Sequence, residues 1–261
     1  MTLLLALLLG LVQGVTEFLP ISSSGHLRLM AATFGIEDPQ TLFDVCLHGG
    51  TLGAVLAVYR GEVATMLKGL TTPKWENPGF RLVILLVIGT IPAAVVGILF
   101  GDWFEAELAT VSAVGSFLMI NGAILMASRN RGETGRSLDQ LTIKDAIVIG
   151  LAQSVALFRG ISRSGTTITA ALLTGVNRET AASFSFLLAI PAISGAVILK
   201  LGDALNTGAI DATALIAGTI CAFVTGYLAL KLLIKLVKQG QLHHFAWYCW
   251  GLGLATLIWG R

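Results

Sequence analysis

"GLVQGVTEFLPISSSGHL" occupies residues 10–27, and "GLAQSVALFRGISRSGTT" occupies residues 150–167. At an offset of 140 the two stretches agree at nine of eighteen positions: Gly10, Leu11, Gln13, Val15, Phe18, Ile21, Ser22, Ser24 and Gly25 all recur. Each stretch starts as an apolar helix and then breaks on Gly, Ser and charge where a membrane helix should continue. Further on, "GTIPAAVVG" (89–97) matches "GTICAFVTG" (218–226) at six of nine positions, and "GAV" at 53–55 returns at 195–197. The chain therefore reads as two related halves, 1–128 and 129–261.

Composition sets the medium. The 261 residues are 55% hydrophobic and 12% charged, with a mean hydropathy of +0.82. Soluble domains carry about 25% charged residues. Long unalternated apolar runs exclude a spanning β-barrel and predict an all-α polytopic membrane protein. Five runs predict spans at about 42–59, 82–100, 111–128, 182–200 and 212–230. A sixth, about 244–260, carries Trp247, Tyr248, Trp250 and Trp259, as suits an interfacial anchor. The stretches 3–34 and 145–175 read as re-entrant, broken-helix hairpins. "MTLLLALLLG" has neither a basic flank nor a following cleavage site, so a cleaved signal peptide is rejected. Cys46, Cys221 and Cys249 lie in apolar runs and read as small buried hydrophobes.

Charge orients the spans. The loops 60–81, 129–144 and 231–241 are basic, through residues such as Arg60, Lys68, Arg131, Arg136, Lys231 and Lys235. The loop 101–110 has Asp102, Glu105 and Glu107 with no Lys or Arg, and 35–41 has Glu37 and Asp38. Near 200–211 only Lys200 is basic. The positive-inside rule puts the basic loops in the cytoplasm and both termini outside. One hairpin and three spans per half give an odd number of crossings, so the halves form inverted-topology repeats. The hairpins then enter from opposite faces and meet near the midplane, where irregular backbone is tolerated only if buried or lining a cavity.

The turns "PISSSGH" (20–26) and "GISRSGTT" (160–167) join Gly to hydroxyl side chains at a helix start. A half-helix start favours an oxyanion such as phosphate, and the forked guanidinium of Arg163 adds a bidentate clamp. Where the repeat diverges, Glu17 faces Leu157, Ser23 faces Arg163 and His26 faces Thr166. One half thus holds acid–base groups and the other the anion clamp. Gln13 and Glu17, four apart, share a helix face. A carboxylate at membrane depth is a functional candidate by default, although pairing with Arg163 alone would also explain Glu17. Arg28 reads as a snorkelling side chain. His48 reads as a structural hydrogen bond ahead of a second imidazole for the site, and His243 and His244 read as interfacial.

"QGVTEFLPISSSGH" and "RGISRSGTT" together resemble the two signatures of the undecaprenyl-diphosphate phosphatases, the bacitracin-resistance family, across essentially the whole chain. The resemblance implies hydrolysis of undecaprenyl diphosphate to the monophosphate, which recycles the lipid carrier for cell-wall synthesis. It implies that Gln13 and Glu17 fill an (E/Q)xxxE element. Ser22, Ser23 and His26 fill the first loop, and Ser162, Arg163, Ser164 and Thr167 the second. Arg159 stands where the family has proline, which puts the local turn in question.

The residues themselves suggest roles. Arg163, Ser22, Ser162, Ser164, Gly165, Thr166, Thr167 and the loop N–H groups would hold phosphate. His26 or Glu17 would move protons, and Ser23 or water would attack. Gln13 and Ser24 would support, and Glu17 with Gln13 could instead place a divalent cation, Mg or Ca. A type 2 phosphatidic acid phosphatase is disfavoured, because no acid follows His243 and His244, the only later histidines. A polyprenyl phosphate transporter or flippase shares the repeat architecture, but transport alone does not require a His–Ser–Glu set beside an arginine. The expected partners are the polyprenyl diphosphate lipid and the bacterial inner membrane, with no nucleic acid. The sequence does not fix the oligomeric state; broken-helix membrane proteins of this size often pair, so a homodimer is one possibility. The site is expected to open extracytoplasmically.

Overall fold

The apolar runs form helices, as their lack of alternation requires. The computed structural model describes residues 2–35, 41–108, 110–205 and 211–260. In chain order, the first half holds α1 (Leu3–Phe18), α2 (Ser23–Phe34), α3 (Thr41–Val58), α4 (Arg60–Leu70), α5 (Pro78–Glu107) and α6 (Val111–Met126). The second half holds α7 (Ile143–Val155), α8 (Arg163–Leu173), α9 (Arg178–Leu205), α10 (Ala212–Lys238) and α11 (Phe245–Trp259). Among the described residues the extended pairing is a single bridge between Arg136 and Val176.

Among the described residues three helices are long and apolar enough to cross a bilayer: Pro78–Gly101 of α5, Arg178–Lys200 of α9, and α10. α3 and α4 qualify only as a pair, and the chain bends by 86° between them. The stretch 60–81, expected as a loop, is therefore largely helix. With Arg60, Glu62 and Lys68 in eleven residues, α4 is too polar to prolong the apolar run of α3. Likewise α5 stays helical to Glu107, and Lys231, Lys235 and Lys238 ride on α10 rather than in a loop. The expected spans 111–128 and 244–260 become α6 and α11, of 16 and 15 residues. At 1.5 Å per residue these are about 24 and 22 Å long, shorter than a bilayer core of about 30 Å. Glu37 and Asp38, and positions 206–210, lie outside the described residues.

The stretches expected as hairpins form helix–break–helix units, α1/α2 and α7/α8. Each second helix starts on a serine cap. Ser22 Oγ accepts from Gly25 N at 3.3 Å, and Ser162 Oγ accepts from Gly165 N at 3.2 Å. These are equivalent positions at the offset of 140, and the cap satisfies a helix-start donor that lipid would leave bare. The turns differ in backbone: the left-handed residue is Ser22 (φ 71) in the first and Gly160 (φ 115) in the second. The second turn thus closes with Arg159 in place of proline, because Gly160 supplies the unusual φ.

The halves interlock. α1 packs most extensively on α10, and α7 packs on α5; α3 lies against α9 and α10, and α6 against α11. Two glycine contacts make this close approach. A Cβ on Gly10 would collide with the carbonyl oxygen of Gly218, and one on Gly150 with that of Gly89. Small residues let helices approach at backbone distance where lipid supplies no hydrophobic drive.

The ends of the second hairpin are pinned. Arg136 forks onto Asp145, in the first turn of α7, at 2.6 and 2.7 Å, and also donates to Thr174 O at 2.9 Å. Around the hairpins the buried core is built from Phe18, Phe184, Phe186, Leu86, Ile149 and Ile168.

Candidate active site

The two breaks meet. Gly160 N donates to Ser22 Oγ at 3.1 Å, and Ser164 Oγ donates to the Phe18 carbonyl at 2.8 Å. From α6, Asn121 ties both turns together: Nδ2 donates to Pro20 O and Oδ1 accepts from Ser162 N, each at 2.9 Å. Asn121 is fully buried. Replacing it with leucine leaves the buried Ser162 N–H without its partner, at about 1–3 kcal/mol, and Pro20 O with only the weak Cys249 Sγ contact at 3.8 Å. Asn121→Leu is therefore expected to lower the thermal unfolding midpoint in detergent by several degrees, whereas Ser24→Ala, at the exposed position beside the turn, should leave it unchanged.

Glu17, in the last turn of α1, is the hub of this junction. Its Oε2 accepts from Ser23 Oγ at 2.8 Å and from Gln13 Nε2 at 3.2 Å. Its Oε1 accepts from Arg163 Nη2 at 3.0 Å. The pair is withdrawn from solvent, the Glu17 side chain being 8% exposed and that of Arg163 16%. The second guanidinium nitrogen, Nη1, is buried with no partner among the described residues, as are Gln13 Oε1 and Thr166 Oγ1. A buried ion pair with one orphaned donor is costly, and the cost is relieved if an anion completes it.

The other residues singled out in the sequence divide into three groups. Ser22, Ser162, Ser164 and Thr167 are buried, and their hydroxyls already serve the turns; Thr167 Oγ1 donates to Arg163 O at 2.7 Å. Gly165 is buried against Pro20, while Ser24 is exposed with its Oγ 3.4 Å from that of Ser22. His26 is turned elsewhere: Nδ1 lies 2.8 Å from Ser22 O and Nε2 2.7 Å from Tyr248 Oη. His48 Nδ1 donates to Asp44 O at 2.9 Å, the expected structural bond, and its ring lies within electrostatic reach of Glu17. The His243 and His244 rings lie 4.3 Å apart and tilted by 50°. Among the described residues no three His, Cys, Asp or Glu side chains group as metal ligands.

Asn121 and Tyr248 were not anticipated. Asn121 had a signal, a lone amide inside the apolar run "FLMINGAILM" (117–126). Tyr248 had none, because its aromatic run reads equally well as a membrane anchor.

The family model described as bacitracin resistance protein BacA matches residues 6–255. The chain belongs to the BacA family. Its BacA relatives include the undecaprenyl-diphosphatase of Desulforapulum autotrophicum, 42% identical over all of this chain and 99% of that one. That of Carboxydothermus hydrogenoformans is 41% identical, covering 97% and 95% of the two chains. Undecaprenyl-diphosphatase 3 of Bacillus cereus is 43% identical at the same coverage. Both junction motifs lie inside the segment matched by the BacA model.

Proposed function

We propose that this chain is an integral membrane phosphatase that hydrolyses undecaprenyl diphosphate to undecaprenyl phosphate and inorganic phosphate. It thereby recycles the lipid carrier for cell-wall synthesis and confers bacitracin resistance. One observation carries the reading: Glu17 holds a serine hydroxyl on one oxygen and a half-free guanidinium on the other, where two broken helices meet. The full-length relatives named undecaprenyl-diphosphatase supply the substrate.

The residues divide the work. Arg163 and the start of α8 hold the diphosphate and meet the charge that builds as the anhydride breaks. Ser23 Oγ attacks the terminal phosphorus as its proton passes to Glu17. The P–O bond breaks and undecaprenyl phosphate leaves with the electron pair. Water then attacks the Ser23 phosphoester, its proton going toward His26. Glu17 returns the first proton to Ser23 Oγ as inorganic phosphate departs. His26 is three residues beyond Ser23 and so shares its helix face.

A magnesium or calcium ion, if bound, would be held by the carboxylate of Glu17 and the orphaned Gln13 Oε1. Bound there, the ion would supply neutralising charge.

The architecture is proposed as two inverted repeats, 1–128 and 129–261, each a re-entrant hairpin plus three crossings. What supports this is the exchange of partners. α1 lies on α10 as α7 lies on α5, and the glycine contacts 10–218 and 150–89 are equivalent under the internal sequence match. Short α6 and α11 would span by local bilayer thinning. Both termini then face the extracytoplasmic side of the bacterial plasma membrane, the first hairpin enters from there, and the polyprenyl tail leaves laterally into lipid.

Phosphate release from polyprenyl diphosphate by protein in detergent tests the reading, since detergent has no sidedness and pure transport yields no phosphate. In that assay Ser23→Ala is expected to lose at least about 10³-fold in turnover. Near-normal turnover in Ser23→Ala would hand the attack to water.

A further inference from the structure

His26 has no ring nitrogen to spare. A carbonyl only accepts, so Nδ1 carries the proton donated to Ser22 O. Nε2 is then the acceptor, and the Tyr248 hydroxyl, 2.7 Å away, is its donor. The rings stack with 9° between their planes and centroids 5.7 Å apart. Tyr248 arrives on α11, the far end of the chain from α2. It also lines a groove of about 370 Å³, shared with Leu19, Ile21, Leu236, Gln241, His244 and Phe245.

We propose that Tyr248 is a further catalytic residue, the hydroxyl through which His26 exchanges protons with the site. This rests on the hydrolytic reading above. With the Nε2 lone pair directed at the phenol, a proton reaches the imidazole only by way of Oη. As the hydrolytic water attacks the phosphoserine, its O–H bond breaks and the proton joins Oη. The phenol's own O–H bond breaks in concert, and that proton joins Nε2. The water oxygen forms the new bond to phosphorus, and the phenol ends as it began, neutral. A hydroxyl suits this relay because it donates and accepts at once. Stacking fixes the imidazole plane so that the transfer path is short and aligned.

The test is a double-mutant cycle on phosphate release in detergent, with His26→Ala, Tyr248→Phe and the double variant. Tyr248→Phe keeps the stacked ring and removes only the hydroxyl. It is expected to lower kcat about 10²-fold, the scale of one proton-transfer group, with KM unchanged. His26→Ala should fall by a similar factor, and the double variant should be no worse than either single one. Two independent losses multiplied together would overturn the relay, as would wild-type kcat in Tyr248→Phe. A lowered unfolding midpoint in Tyr248→Phe with unchanged kcat would make the contact purely structural and also overturn it. The wild-type protein in the same assay separates the two ideas: no phosphate release there would defeat the hydrolytic reading itself, whereas release by wild type with an unchanged kcat in Tyr248→Phe would defeat only the relay.

Discussion

Arg163→Ala is expected to cut phosphate release by roughly 10³-fold, the scale found when a preorganised charge stabiliser is deleted. Arg163 is the first residue of α8, one position past the Ser162 cap. Its Nη2 is held by Glu17, and its Nη1 is buried and unpartnered. The fork is thus half engaged, with the free half set beside a helix start that favours oxyanions. Removing it deletes the proposed clamp and also leaves the Glu17 carboxylate buried with the Ser23 and Gln13 hydrogen bonds alone. Breaking one partner of a buried pair costs about 3–5 kcal/mol, so the unfolding midpoint should be read alongside activity. Arg163→Lys separates the effects. A lysine restores a charge near Glu17 and much of the stability, but lacks the fork, so activity should recover only in part. Full activity in Arg163→Ala would sink the clamp.

The second large effect is on folding. Gly150→Val and Gly10→Val should each destabilise the protein by at least about 3 kcal/mol, at or beyond the upper end of ordinary overpacking. Backbone carbonyls, those of Gly89 and Gly218, stand where the new Cβ would go, and backbone yields less readily than a side chain. The expected result is poor accumulation in the membrane and a lowered midpoint in detergent. Gly195→Ala and Gly251→Ala are the controls: both positions are helical and have nothing within 4 Å of an added Cβ. There the helix propensity of alanine should leave stability equal or raised by up to about 1 kcal/mol. Similar losses at Gly10 and Gly150 would also bear on the repeat, since the two glycines are equivalent in it.

The offset-140 match placed both broken helices, their serine caps and the divergence of Glu17 and Arg163, because these are local events. A helix stops where Pro, Gly and Ser interrupt it, and a cap binds a donor three residues on. The glycines that allow close approach were equally visible as repeated letters. Helix ends were less legible. α4 emerged from a stretch expected as a loop, since an amphipathic surface helix and a charged loop have similar composition.

The sequence by itself determined the membrane class, the two helix breaks and the identity of the charged pair, because hydropathy and local breaks are written along the chain. Only the tertiary structure decided which groups touch. It set Ser23 rather than His26 on Glu17, turned His26 to Tyr248 and clamped both turns with Asn121. It also left one nitrogen of Arg163 unpartnered. Apart from Ser23 on Glu17, six residues away, these contacts span 41 to 222 residues of chain, depend on how α6, α8 and α11 pack, and leave no trace in local periodicity.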